Sequence, residues 1–427
     1  MVLLKLISDD LAAHLRSWGL RQFDSARVYE RWQRDTIPAA ALTRLNELLQ
    51  RRSGPQAGAE DEIAFYDAAA DPVILPVLYS QRYGYYLEMG AQIDDRVAAG
   101  VPLPLDLDDR GIISLDARLG EEPPDLEVSV LDVGCGVGIL TTWYARRHPT
   151  CSFLGIDRSP ISIAVARSRA AELKLANVRF ECLDLDRSVP GKSFDRIVST
   201  QALLQTEHDP GVPSKSWQTF ERAKDAAAQA DFERRTGLAT RLDRLYAALA
   251  PDGRLIVCEK TRHLARRVPF QRAFAARGLT LLEPPLPIQY SIIEEMTDDG
   301  PLYVLGRTGA PAGTWDESPE QAGESVDVAA LKSRPASPDE PLYENHTTSA
   351  QQVWTSLPDR RILQETTKQE QDGRQVHLEL GESQGLTYLY CANTFDQRQL
   401  VIVKSEQASM LTQYYQELLQ GLDVPAK

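Results

Sequence analysis

Three glycines at alternate positions, Gly134, Gly136 and Gly138, stand in V-S-V-L-D-V-G-C-G-V-G-I-L-T, residues 128–141. An apolar run (Val130, Leu131, Val133) precedes them, and Ile139, Leu140, Trp143 and Tyr144 follow at helical spacing. The pattern predicts a buried strand, a tight turn and a helix N-terminus. Glycine belongs where the backbone takes positive φ or where a ligand must approach the main chain closely. Such a turn presents bare N–H groups to a cofactor. By itself it also serves packing, so the neighbouring carboxylates matter. Asp157 ends a second apolar run, Phe153–Ile156, nineteen residues after Gly138. An open α/β sheet places there the acid that accepts both ribose hydroxyls. Asp184 ends a third strand pattern that begins at Val178.

The stretch L-D-V-G-C-G-V-G resembles the first motif of the class I S-adenosylmethionine-dependent methyltransferases. Phe194–Ser199 is similar to that family's fourth strand, and Pro251–Val257 to its turn into the fifth. The resemblance covers residues 127–309. It implies a Rossmann-like seven-stranded α/β sheet with S-adenosylmethionine as cofactor. Asp132 matches the family's acid in the first motif. Asp157 would hold the ribose, and Asp184 would accept from the adenine amino group. Gly134, Cys135, Gly136, Gly138, Arg158, Leu185 and Thr200 complete the implied cofactor set. The family often has cysteine at the position of Cys135, with no nucleophilic role.

Methyl transfer is an in-line displacement at a sulfonium, and the protein mainly positions and desolvates. A base is needed only where the acceptor carries a proton. His208, between Glu207 and Asp209 just past the fourth strand, is the first candidate base; Glu259, after the fifth strand, is the next. The plain alternative for His208 is a loop histidine with no role. Ser199-Thr200-Gln201-Ala202 lacks the N/D-P-P-Y tetrapeptide of planar amino-group methylation, and no Pro-Cys motif of cytosine methylation is present.

The acceptor is expected to be a small molecule. The net charge of −14 gives no general attraction to phosphate backbones, which disfavours nucleic acid. No uncharged apolar run reaches the ~20 residues of a membrane span. The N-terminal apolar run is broken by Lys5 and is too short for a signal peptide. Five scattered cysteines without a C-x-x-C suggest a reducing cytoplasm and no metal site. Other readings stay open: a protein or RNA acceptor, a dehydrogenase, or a non-catalytic cofactor-binding protein that docks a partner. The G-x-G-x-G spacing and Asp184 argue against the dehydrogenase.

The elements that must position these residues divide the 427-residue chain into four parts. Residues 1–125 are expected to be a helical substrate or cap domain. Its tyrosines (Tyr79, Tyr83, Tyr85, Tyr86) either pack a core, the ordinary role of aromatics at helical spacing, or wall a pocket. Residues 126–309 form the sheet domain. Residues 310–341 are acidic and proline-rich and read as a disordered linker. Residues 342–427 alternate and end in an apolar helical stripe, predicting a small α+β module with turns at Asp372-Gly373 and Gly385. Docking or formation of a homodimer suits that module better than chemistry.

Overall fold

A computed structural model describes residues 2–54, 57–97, 128–204, 209–315, 317–319, 326–335, 340–369 and 374–423. The chain forms two compact units. The first comprises Met1–Asp209, Glu233–Arg262 and Arg272–Trp315, and the second Pro210–Phe232, His263–Gln271 and Asp316–Lys427. This division cuts the chain differently from the expected boundaries at 125, 309 and 341.

The first unit opens with helices α1 (Val2–Ser17), α2 (Ala26–Thr36), α3 (Ala39–Arg52), α4 (Ala59–Ala69), α5 (Ile74–Ser80) and α6 (Tyr83–Val97). Its sheet holds β1 (Val128–Val133), β2 (Cys151–Asp157), β3 (Val178–Cys182), β4 (Phe194–Thr200), β5 (Leu249–Cys258), β6 (Thr280–Leu281), β7 (Leu286–Ile292) and β8 (Glu295–Gly306). Between these strands in the chain lie α7 (Ile139–Arg147), α8 (Pro160–Glu172) and α10 (Leu238–Ala248), and also α9 (Ala226–Arg235) and α11 (Leu264–Ala276), whose residues up to Phe232 and Gln271 belong to the second unit. Strand order is β3-β2-β1-β4-β5-β8-β6, with β7 paired to β8. The first five strands run parallel and β8 antiparallel to β5. The order reverses between β1 and β4, so a ligand crevice is expected beyond their carboxyl ends.

Eight strands replace the seven expected. The additional β7 alternates Leu286, Ile288, Tyr290 and Ile292, a period-2 pattern obscured by the prolines before it. The N-terminal helices share the sheet's core. Leu11, Leu15, Tyr85, Met89 and Ile93 pack in one cluster with Ile139, Leu140, Trp143 and Tyr144. Asp10 accepts from Trp143 Nε1 and from Arg146, each at 2.7 Å. Buried Asp94 takes His148 at 2.7 Å and both Arg147 Nε contacts. Ser159 caps α8 by accepting the Ser162 N–H at 3.0 Å, with Pro160 in the first turn.

The second unit is an antiparallel sheet of β9 (Tyr343–Asn345), β10 (Arg361–Gln369), β11 (Gln375–Ser383), β12 (Leu386–Asn393) and β13 (Arg398–Lys404), ordered β10-β11-β12-β13-β9. It carries helices α12 (Val328–Ser333), α13 (Ala350–Ser356) and α14 (Ala408–Asp423). Leu378, Leu380, Leu389, Val401 and Val403 pack with Leu411 and Tyr415 of α14. Tyr388, Tyr390, Leu400 and Ile402 pack on the other side with Val353, Leu331 and Trp217. The Trp217 indole stacks on the buried His377 ring, centroids 3.5 Å apart and planes 2° apart. Arg222 Nη2 donates to both oxygens of Asp396, and neither side chain touches solvent. Asp396 also accepts the Ala265 N–H at 2.6 Å.

Trp217, Arg222 and Ala265 thus belong with the C-terminal sheet, whereas local sequence had placed them in the sheet domain at 126–309. The linker expectation is corrected at 326–335. There Asp327 accepts the amides of Ala329 and Ala330, capping α12, and Val328 and Leu331 are buried. The expected turn at Asp372-Gly373 lies outside the described residues; that at Gly385 has φ +79°. No helix among the described residues is long and apolar enough to cross a membrane.

Candidate functional site

The carboxyl ends of β1, β2 and β4 open into a cavity of about 470 Å³ in the first unit. That lies within the roughly 300–1,000 Å³ of ordinary small-molecule sites. Asp132, Gly134, Cys135, Gly136, Asp157, Arg158, Asp184, Leu185, Thr200 and Glu259 all line it. The fold thus brings to one place ten residues that the sequence and the family resemblance had named. Gly138 does not line the cavity: a Cβ there would meet Ala166 and the Phe180 ring at 3.0 Å, so it is a packing glycine. His208 lies outside the described residues.

The glycine turn is tied to β2. Gly134 and Cys135 N–H groups both donate to the Ile156 carbonyl, at 2.8 and 3.1 Å. Gly134, Gly136 and Gly138 all take positive φ, +73°, +55° and +79°. Only at Gly136 would a Cβ meet nothing within 4 Å; at Gly134 it would strike the Ala202 Cβ at 2.6 Å. Asp157 accepts the Gly136 N–H at 3.0 Å and the Ser159 N–H at 2.8 Å. Burial pushes its carboxyl up, against those two amides. Asp132 is buried and accepts the Thr141 hydroxyl at 2.5 Å; burial pushes it up to about 7. Beside Gly136, whose N–H is held by Asp157, there is thus an open cradle that a side chain would fill. A nucleoside-bearing cofactor fits such a cradle.

The wall opposite comes from α4, α5 and α6. Tyr66, Tyr79, Arg82, Tyr85 and Tyr86 line it, so the tyrosines expected either in the core or at a pocket wall do both, except Tyr83, which packs only in the core. Arg158 pairs with Glu62, and Ser159 Oγ donates to Asp67 at 2.6 Å, fixing α4 beside the loop after β2. Sequence reasoning missed Arg82 and the role of Gln201. Arg82 Nη1 donates to Gln201 Oε1 at 2.8 Å, and its guanidinium lies 4.0 Å over the Tyr85 ring. Gln201 takes φ +56°, and its amide donates to Asp299. The available signal was an arginine embedded among four tyrosines.

Glu259 is buried, and its carboxylate accepts the N–H groups of Ala202 (2.9 Å), Leu203 (2.8 Å) and Leu204 (3.4 Å). Arg241 grips the same turn from its carbonyl side and pairs with Asp186 through two bonds of 2.7 and 2.6 Å. Burial pushes the Glu259 carboxyl up to about 7, with the three amides opposing. A carboxyl whose pKa is higher folded than unfolded holds its proton better in the fold, so unfolding releases it. Stability should therefore fall as pH rises from about 4.5 to about 7. Glu259→Gln is expected to flatten that slope by about one proton, as read from thermal melting across the window. An unchanged slope would show that Glu259 is ionised throughout.

A family model described as a methyltransferase domain matches residues 125–281. Those residues are a class I, S-adenosylmethionine-dependent methyltransferase domain. The domain is 37% identical over 84 residues to the malonyl-[acyl-carrier protein] O-methyltransferase of Acetivibrio thermocellus, covering 20% of this chain and 28% of that protein. It is 31% identical over 94 residues to the release factor glutamine methyltransferase of Escherichia coli K12, covering 22% and 32%. Among solved structures, magnesium protoporphyrin IX methyltransferase of Synechocystis PCC 6803 is 14% identical at TM-score 0.34, covering 65% of this chain and all (100%) of that one. The chain spans about a third of the length of the curated relatives it matches.

Proposed function

We propose that the protein transfers a methyl group from S-adenosylmethionine to a small molecule seated against α4–α6. The supporting observation is the single cavity that joins the Gly136 cradle to the tyrosine- and arginine-lined wall. Relatives of the methyltransferase domain carry names with protein, tRNA and small-molecule acceptors, so the acceptor is argued from this cavity. Asp157 is assigned the ribose hydroxyls, since each of its oxygens retains accepting capacity beyond one backbone amide. Asp184 and Leu185, at the end of β3, are assigned the adenine side. Thr200, at the end of β4, lines the same cavity as Tyr85 of the acceptor wall. Glu259 is assigned to bracing the 202–204 turn, because both its oxygens are engaged by amides.

The bound cofactor supplies the electrophilic methyl; the chain's own residues orient it, exclude water and hold the acceptor in line. Asp157→Ala removes a charged acceptor, a loss of roughly 1.5–3 kcal/mol. Calorimetry with S-adenosylhomocysteine should show affinity falling more than about tenfold. Unchanged affinity in the folded variant would remove Asp157 from the site.

A further inference from the structure

We propose that the methyl acceptor is a carboxylate, held by Arg82 and the hydroxyls of Tyr66, Tyr79 and Tyr86, and that the product is a methyl ester. This rests on the methyltransferase reading above and names its substrate class.

The acceptor wall is built from hydrogen-bond donors. Tyr66, Tyr79 and Tyr86 line it together with Arg82. Burial pushes all three hydroxyls above the ordinary tyrosine value, so near neutral pH they keep the protons with which a hydroxyl donates. The six carboxylates that also line the cavity have their own partners: Glu62 takes Arg158, Asp209 takes Arg235, Glu259 takes three amides, Asp132 the Thr141 hydroxyl, Asp157 two amides, and Asp184 the Asp186 amide and Arg187. Arg82 is less fully countered. Its close partner is the neutral Gln201, and Asp299 stands 3.6 Å from Nη2. Asp299 is itself shared with the Gln201 amide and with the Tyr290 hydroxyl at 2.8 Å. A planar guanidinium with donors to spare is suited to a carboxylate's two oxygens.

Arg82 is also placed where the methyl must be delivered. Gln201, which holds it, directly precedes Ala202, and Ala202 lies against Gly134 of the cofactor turn. Gln201 is a non-glycine residue in the left-handed region, a conformation that costs of order 1–3 kcal/mol and persists only where the surroundings enforce it. Its bonds to Asp299 and Arg82 are that enforcement.

The chemistry agrees with the wall. A carboxylate is already ionised near pH 7 and has no proton to surrender, so no general base is required. One carboxylate oxygen donates a lone pair to the methyl carbon, and the new O–C bond forms as the methyl–sulfur bond breaks. The bonding pair returns to sulfur, the sulfonium becomes a neutral thioether, the carboxylate becomes a neutral ester, and no proton is released.

The test titrates full-length protein, saturated with S-adenosylhomocysteine, with benzoate, phenylacetate, succinate and glutarate, each beside its primary amide. At least one acid should bind ten times more tightly than its amide. Arg82→Gln should erase that preference while S-adenosylhomocysteine affinity stays within threefold, and Arg82→Lys should restore part of it. With an acid that binds, turnover in weakly buffered solution should release no proton, and the label transferred from methyl-labelled cofactor should leave as methanol in mild alkali. Acids that bind no better than their amides, or not at all, overturn the proposal. So does a tenfold loss of S-adenosylhomocysteine affinity in Arg82→Gln, which would assign the guanidinium to the cofactor's own carboxylate. Wild-type protein that fails to bind S-adenosylhomocysteine would instead sink the methyltransferase reading, and the acid–amide comparison can then be made without it.

Discussion

Gly136→Asn is expected to abolish S-adenosylhomocysteine binding, by at least about 100-fold or roughly 2.7 kcal/mol, with little change in melting temperature. Asparagine tolerates the left-handed backbone that Gly136 adopts at φ +55° better than other side chains do. A Cβ there meets no protein atom within 4 Å, so the fold has room for it. The added side chain would stand in the space that the cofactor needs. Its neighbours in the turn should fail differently. Gly134→Ala would drive a methyl to 2.6 Å from the Ala202 Cβ, and Gly138→Ala to 3.0 Å from the Phe180 ring. Those two variants should lose stability before affinity. Calorimetry and thermal melting on the three proteins separate the cases, and binding within tenfold of wild type in Gly136→Asn would mean that the cradle does not hold the cofactor.

The second large effect is on stability. Asp396→Ala removes the carboxylate that pairs with the solvent-excluded Arg222 guanidinium and accepts the Ala265 N–H. Removing one partner of a buried ion pair costs about 3–5 kcal/mol, because the other charge is left uncompensated. Urea unfolding of the full chain should show that loss in the transition that reports the second unit. Replacing both partners, with Arg222→Met and Asp396→Leu, should recover much of it, since apolar packing can substitute for a buried pair. A loss below 1 kcal/mol in Asp396→Ala would place water or another anion beside Arg222.

The cofactor side of the site was legible because it is local. A glycine turn and an acid at a strand end declare themselves within a dozen residues, and the parallel sheet then gathers them. Which glycine faces the cavity was not legible: Gly136 and Gly138 share a residue type and a sign of φ, and only Ala166 and Phe180, packed over the second, tell them apart. The acceptor wall was half legible. The tyrosines were marked, but Arg82 acquires its meaning from Gln201, 119 residues away, and no local period carries that pairing. Glu259 drew notice as a carboxylate after a strand, yet its partners are backbone amides, which sequence does not display. The second unit shows the same limit. Trp217 reads as one aromatic in a long connection until His377 lies beneath it.

The assembly of that unit from three separate stretches sets an order on biosynthesis. Arg222 leaves the ribosome 174 residues before Asp396 does. At about 5–20 residues per second, the arginine and its neighbour Trp217 wait on the order of ten to thirty seconds for their counterparts. The strands β1 to β8 are complete on the nascent chain well before β12 and β13 are made. Until then the first inserted stretch carries a cation and an indole that the finished protein hides from water. A message cut before codon 343 yields a polypeptide whose insertions lack the whole sheet they pack upon, however intact its glycine turn.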